Sequence, residues 1–203
     1  MGKQELFREL ETYGIEKKVL EAMKRVDRAA FVPKEEKQQA WDNMPLPIGR
    51  GQTISQPLMV AVMTQELDVH KGDKILEVGL GSGYQAAVLE ELGGKVFGIE
   101  RIPELAEMAK KNLAGRKAKV IIGDGTLGLP EEAPFDRIMV TAGAPHIPKA
   151  LEDQLKIGGK IAIPLGRSYQ ELIIGTKTEK GMKIDKKGGC MFVPLIGKDA
   201  WKE

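Results

Sequence analysis

Cysteine, histidine and asparagine are all scarce in this 203-residue chain, which carries one cysteine, Cys190, and two histidines, His70 and His146. A lone cysteine excludes an internal disulfide and fits a reducing compartment, so a cytoplasmic location is expected. Two histidines and one cysteine cannot supply an ordinary three- or four-ligand zinc site, and no metal is expected. Long apolar runs are also missing. No stretch is long enough to span a bilayer, and Met1-Gly2-Lys3-Gln4-Glu5 lacks the apolar segment of a secretory leader. Neither sign of charge is in excess: 31 Lys and Arg against 29 Asp and Glu leave a net charge of +2. That balance predicts no nucleic-acid partner and no membrane surface. The short basic clusters Lys110-Lys111, Arg116-Lys117 and Lys183 to Lys187 read as solvated surface.

What is present fits a globular chain of one domain with a full core: 42% hydrophobic and 30% charged residues. Many charges with few asparagines is a composition that hints at a heat-adapted source. The most informative stretch runs from Lys74 to Tyr84. Lys74 to Val78 reads as a short strand, Gly79-Leu80-Gly81-Ser82-Gly83 as a tight turn, and Tyr84 onwards as a helix. Strand, glycine turn and helix form the front half of a nucleotide-binding βαβ unit, with free N–H groups at the helix start. The next strand ends in Glu100, about 20 positions after the first glycine, which suits the ribose hydroxyls of an adenosine cofactor. Two cofactor classes share this layout. The dinucleotide fingerprint G-x-G-x-x-G is not met, because Tyr84 holds the sixth position. Glu77-Val78-Gly79-x-Gly81-x-Gly83 looks instead like motif I of the class I S-adenosylmethionine-dependent methyltransferases.

Taken in order, residues 3–26 predict two short helices broken at Gly14. The proline-rich stretch from Met44 to Gly49 predicts an irregular, extended segment, of the kind that often carries function. Ser55 fits a helix N-cap, with Pro57 in the first turn. Strands are expected at 74–78, 95–99, 118–122, 135–140 and 157–163, with helices between them, then strands at 170–176 and 182–193 without an intervening helix. The pattern specifies a doubly wound, mostly parallel α/β sheet with antiparallel C-terminal strands and an N-terminal helical extension. One domain spans 1–203: an extension at 1–55, a cofactor-binding core at 56–176, and a C-terminal strand and tail at 177–203. Ligands in such sheets bind beyond the C-terminal strand ends. Gly79 to Gly83, Glu100, Asp124-Gly125 and Thr141 all fall at that edge.

Leu46-Pro47-Ile48-Gly49-Arg50-Gly51-Gln52-Thr53-Ile54-Ser55-Gln56-Pro57, Gly123-Asp124-Gly125, Ala133 to Ile138, Val140-Thr141-Ala142 with Ala144-Pro145, Gln154 to Gly159, Gln170 before Leu172, and Phe192 to Leu195 together resemble the protein-L-isoaspartate O-methyltransferases over nearly the whole chain. The resemblance implies methyl transfer from S-adenosyl-L-methionine, giving S-adenosyl-L-homocysteine, to the free α-carboxylate of L-isoaspartyl residues in damaged proteins and peptides. The ester would then close to a succinimide that can open to normal aspartate. It implies a monomer, with Ser55 at the catalytic centre. The implied cofactor-binding set is Thr53, Ile54, Gln56, Glu77, Gly79, Gly81, Ser82, Gly83, Glu100, Asp124, Gly125, Thr141 and Gln170. Ser55, Val193, Pro194 and Leu195 are the implied substrate-binding residues. Leu58, Trp41 and Gly143 depart from the family pattern, which favours an aromatic residue or histidine, tyrosine and alanine there.

An ionised carboxylate and an activated methyl need no general base, so Ser55 is expected to position rather than attack. His146 is not required by such a reaction. The alternatives are a methyltransferase with another protein, RNA or small-molecule acceptor, an NAD-dependent oxidoreductase, and a non-catalytic binding module on the same scaffold.

Overall fold

The computed structural model describes residues 1–202. Helices α1 (Lys3–Thr12) and α2 (Lys17–Arg25) open the chain, separated at Gly14, whose φ of +73° a side chain would disfavour. Val19, Leu20, Ala22 and Met23 form the buried stripe of α2. Two 3₁₀ turns, Arg28–Phe31 and Lys34–Gln39, lead to the first strands.

The stretch expected to be irregular is a hairpin. Strand β1 (Leu46–Gly49) pairs antiparallel with β2 (Gln52–Ile54). Arg50 and Gly51 turn between them at φ +54° and +68°, two positive φ values that match the strand twist. Pro47 is tolerated because a two-stranded ribbon leaves one edge of each strand unpaired. Helix α3 (Pro57–Leu67) follows, and its N-cap is Gln56, not Ser55, with no side-chain cap bond. Pro57 holds the first helical position, where its missing N–H costs nothing.

The remaining elements are β3 (Lys74–Val78), α4 (Tyr84–Glu91), β4 (Lys95–Glu100), α5 (Pro103–Asn112), β5 (Lys119–Ile122), β6 (Phe135–Val140), α6 (Lys149–Gln154), β7 (Leu155–Gly166), β8 (Gln170–Thr178) and β9 (Gly181–Cys190). Their sheet order is β5-β4-β3-β6-β7-β8-β9. The first five strands in that order are parallel, and β8 and β9 are antiparallel. Both faces are covered. Ile75 belongs to the core cluster that includes Leu6, Val19, Val60 and Val88, while its neighbour Leu76 belongs to the cluster on the other face with Ile138, Leu151 and Ile173. Burying one such side chain contributes about 1.5–3 kcal/mol, so this two-sided core dominates the stability of the scaffold. The chain moves outwards from β3 to β4 and β5, then returns to β6 on the other side of β3. That reversal opens a crevice at the C-terminal ends of β3 and β6.

Candidate active site

A cavity of about 920 Å³, counting its open mouth, lies over those strand ends. Gln52 to Ser55 form one wall, Glu77 to Ser82 the base, Glu100 to Ile102 a side, and Val193 to Ile196 a strap across the opposite rim. Gly125, Thr141 and Ala142 complete the edge.

The glycine loop is shaped by backbone conformation and close approach. Gly79, Gly81 and Gly83 have φ of +86°, +52° and +87°. A Cβ on Gly79 would meet Thr141 Oγ1 at 3.0 Å, and one on Gly81 would meet Ile48 Cδ1 at 3.2 Å. Gly83 serves packing rather than the cavity: a Cβ there would lie 2.9 Å from Leu113 Cδ1. The Thr141 hydroxyl donates towards the carbonyls of Gly79 at 2.6 Å and Val78 at 3.1 Å, joining β6 to the loop.

Two acids define the electrostatics. Glu100 is buried, and its carboxylate accepts from Gly81 N at 2.9 Å and Ile102 N at 3.0 Å. Each carboxylate oxygen has a second lone pair, so Glu100 can still accept from a vicinal diol. Glu77 is fully buried, and among the described residues neither of its carboxyl oxygens has a hydrogen-bond partner. Burial, and then the field of Glu100, push its pKa well above the ordinary carboxylate range. An unpartnered buried acid at the base of a cavity fits a ligand that carries a cation. An adenosine-type ribose on Glu100 and an ammonium near Glu77 therefore match the donors and acceptors present.

Ser55 lines the cavity, and among the described residues no protein group hydrogen-bonds its hydroxyl; its backbone carbonyl accepts from Arg28 at 3.0 Å. Thr53, Ile54, Gly79, Gly81, Ser82, Gly125, Thr141, Val193, Pro194 and Leu195 share that cavity. Three other expected cofactor contacts do not. The Gln56 amide donates to the Asn43 carbonyl at 2.9 Å. The Asp124 carboxylate caps a 3₁₀ turn, accepting from Thr126 N and Oγ1 at 3.0 and 2.6 Å and from Lys198 N at 2.8 Å. Burial opposes ionisation of Asp124, but these hydrogen bonds outweigh it and hold the pKa below the usual range. The buried Gln170 amide donates to Phe192 O at 2.9 Å and accepts from Phe192 N at 2.7 Å, latching the strap instead of lining the cavity. Gly143 lies directly beneath that latch: a Cβ there would come within 2.4 Å of Gln170 Nε2, so the amide would have to shift.

His146 lies outside the cavity, paired with Asp199 at 2.9 Å on the surface. Val60, Tyr84, Gln85, Arg101, Leu105 and Ile196 line the cavity without having been singled out from the sequence. Tyr84 and Gln85 follow the last loop glycine directly, and that adjacency was the available signal. Val60 and Leu105 are apolar residues within helices and carry none.

The family model for protein-L-isoaspartate(D-aspartate) O-methyltransferase matches residues 1–200. A protein-L-isoaspartate O-methyltransferase of Methanopyrus kandleri is 54% identical over 195 residues, covering 92% of this chain and 86% of the relative. One from Methanothrix thermoacetophila is 49% identical and covers 100% of this chain and 99% of its own. A Plasmodium falciparum beta-aspartate methyltransferase, solved in complex with S-adenosyl-L-homocysteine, superposes with a TM-score of 0.84 at 26% identity, covering 98% of this chain and 100% of that one. With the glycine loop, the two acids and the strap around one cavity, these matches show that the chain belongs to the protein-L-isoaspartate(D-aspartate) O-methyltransferase family.

Proposed function

We propose that this chain transfers a methyl group from S-adenosyl-L-methionine to the free α-carboxylate of L-isoaspartyl residues in damaged proteins and peptides, beginning their repair through a succinimide. The observation that most supports this is that Gln52 to Ser55 and Val193 to Ile196 line the same cavity as the glycine loop and Glu100. Acceptor-side and cofactor-side groups thus face one space. Transfer to another acceptor class would need the same loop but not the segment from Leu46 to Pro57.

Glu100 would hold the ribose, Glu77 the ammonium, and the backbone of Gly79 to Ser82 the methionine portion. When bound, S-adenosyl-L-methionine supplies a methyl group already activated on a sulfonium centre and leaves as S-adenosyl-L-homocysteine. The acceptor carboxylate is ionised at neutral pH, so no side chain need remove a proton. Ser55 donates a hydrogen bond that orients this carboxylate, an interaction worth roughly 1.5–3 kcal/mol. Holding both partners in line contributes most, up to ~7–11 kcal/mol. Val193 to Leu195, closing over the rim, exclude water from a step in which charge is neutralised.

We extend the reading to a single domain over 1–203, acting as a monomer in the cytoplasm without a metal. Few histidine and cysteine donors support the last point. Full activity in the presence of a chelator and a one-chain mass by light scattering are expected; loss of activity on chelation would contradict it. The function itself is tested by incubating an isoaspartyl peptide with the enzyme and cofactor, then separating the products. Succinimide and normal aspartyl peptide should accumulate. An unchanged peptide beside intact cofactor binding would contradict the assignment.

A further inference from the structure

Arg28 is fully buried, yet it forms no ion pair with any carboxylate among the described residues. Its guanidinium donates to three backbone carbonyls: Ala40, Met44 at 3.2 Å and Ser55 at 3.0 Å. Nε has no partner. The guanidinium carbon lies 5.9 Å from the centre of the Tyr84 ring, close enough for cation–π attraction. Tyr84 and Ser55 both line the cavity. Burial lowers the Arg28 pKa to about 10, which still leaves the group charged at neutral pH.

This arrangement does two things. The three carbonyls flank the β1–β2 hairpin: Ala40 and Met44 precede β1, and Ser55 follows β2. A planar fork of donors can hold three such acceptors at once, and a lysine ammonium cannot do so in the same geometry. No carboxylate among the described residues lies within ion-pair reach of the guanidinium, and the more distant field of Asp42 offsets only part of the cost of burying its charge. A buried charge of this kind is costly, and an anionic ligand arriving nearby would offset that cost. The acceptor in the proposed reaction is a carboxylate, and the Ser55 hydroxyl is the group that meets it.

We propose that Arg28 is a positioning residue for methyl transfer: its guanidinium fixes the backbone of Ser55 and keeps a buried positive charge beside the residue whose hydroxyl meets the acceptor carboxylate. Arg28 touches neither reactant and acts through Ser55. The inference rests on the function proposed above.

The test uses Arg28→Lys and Arg28→Met in the full chain, with and without Ser55→Ala. Melting temperature, calorimetric affinity for S-adenosyl-L-homocysteine, and kcat and KM for an isoaspartyl peptide are measured well below melting. Product affinity should stay within about threefold, while kcat/KM falls about tenfold in Arg28→Lys and about a hundredfold in Arg28→Met. Adding Arg28→Lys to Ser55→Ala should cost less than about threefold further, because the two act as one unit. Unchanged kcat/KM in folded variants would overturn the proposal, whatever happens to the melting temperature. So would loss of product binding in both variants, which would make Arg28 a folding residue. Failure of the wild-type chain to methylate the peptide would remove the underlying function, and that control is read separately.

Discussion

Ser55 sits between a hairpin strand and a helix, with its carbonyl held by Arg28 and its hydroxyl bonded to no protein group among the described residues. A hydroxyl that only orients an anion gives up one charge-assisted bond when removed. Ser55→Ala should therefore lower kcat/KM about 10- to 100-fold and leave cofactor affinity unchanged, as read by steady-state kinetics beside calorimetry. Glu77 makes a contrasting case. Its ordinary pKa is 4.5, and the folded value lies well above it. Between those values the folded chain binds a proton that the unfolded chain has lost, so stability falls as pH rises from 4.5 towards neutrality. Glu77→Gln should remove that loss and raise the melting temperature of the ligand-free chain at pH 7 by roughly 2–4 °C for each 1 kcal/mol recovered. The same change should weaken S-adenosyl-L-methionine binding at least about tenfold, since an ammonium loses its buried counter-charge. A variant that melts lower and binds normally would contradict both halves. Glu77 was legible as part of a motif, but its isolation was not, because sequence does not show which buried groups lack partners.

At the scale of elements, the strap from Phe192 to Leu195 is held at two places. Gln170 exchanges two hydrogen bonds with Phe192, and the strap itself bridges to Gly143 through Gly143 N to Val193 O and Leu195 N to Gly143 O, each 2.8 Å. Gln170→Ala should loosen the Phe192 end of the strap and raise the peptide KM several-fold while moving cofactor affinity less than about threefold. Equal losses of both would mean that Gln170 supports the cofactor after all. Asp124 anchors the following tail through Lys198 and the Thr126 turn. Its depressed pKa means that this contribution is present above the unfolded value and is lost as pH falls through the folded one. Chemical denaturation from pH 6 down to 3 should show wild-type stability converging on that of Asp124→Asn; parallel curves would contradict the anchoring role. Side-chain type alone did not reveal these two assignments. Glutamine and aspartate bond backbone amides with the same groups they would offer a ligand, and only tertiary position separates the two uses. The β1–β2 hairpin was hidden for a related reason. Pro47 weakens a strand signal, and register with Thr53 outweighed it.

For the molecule as a whole, the alternation of strands and helices was readable because each strand ends in a glycine or polar residue at one edge. Gly79, Glu100 and Thr141 then converge over β3, β4 and β6 as the topology requires. What periodicity could not supply was the far rim, made by a tail that returns from β9 to cross the sheet. The cavity therefore joins the first third of the chain, the central sheet and the last dozen residues around one ligand. The central claim is that this shared space brings an activated methyl to a carboxylate found in isoaspartyl but not in ordinary aspartyl linkage. Its most direct test is transfer of labelled methyl from S-adenosyl-L-methionine to a short peptide containing L-isoaspartate, beside the same peptide with L-aspartate. Label should appear, as a base-labile ester, on the first peptide alone. Equal labelling of both peptides, or of neither while the cofactor still binds, would contradict it.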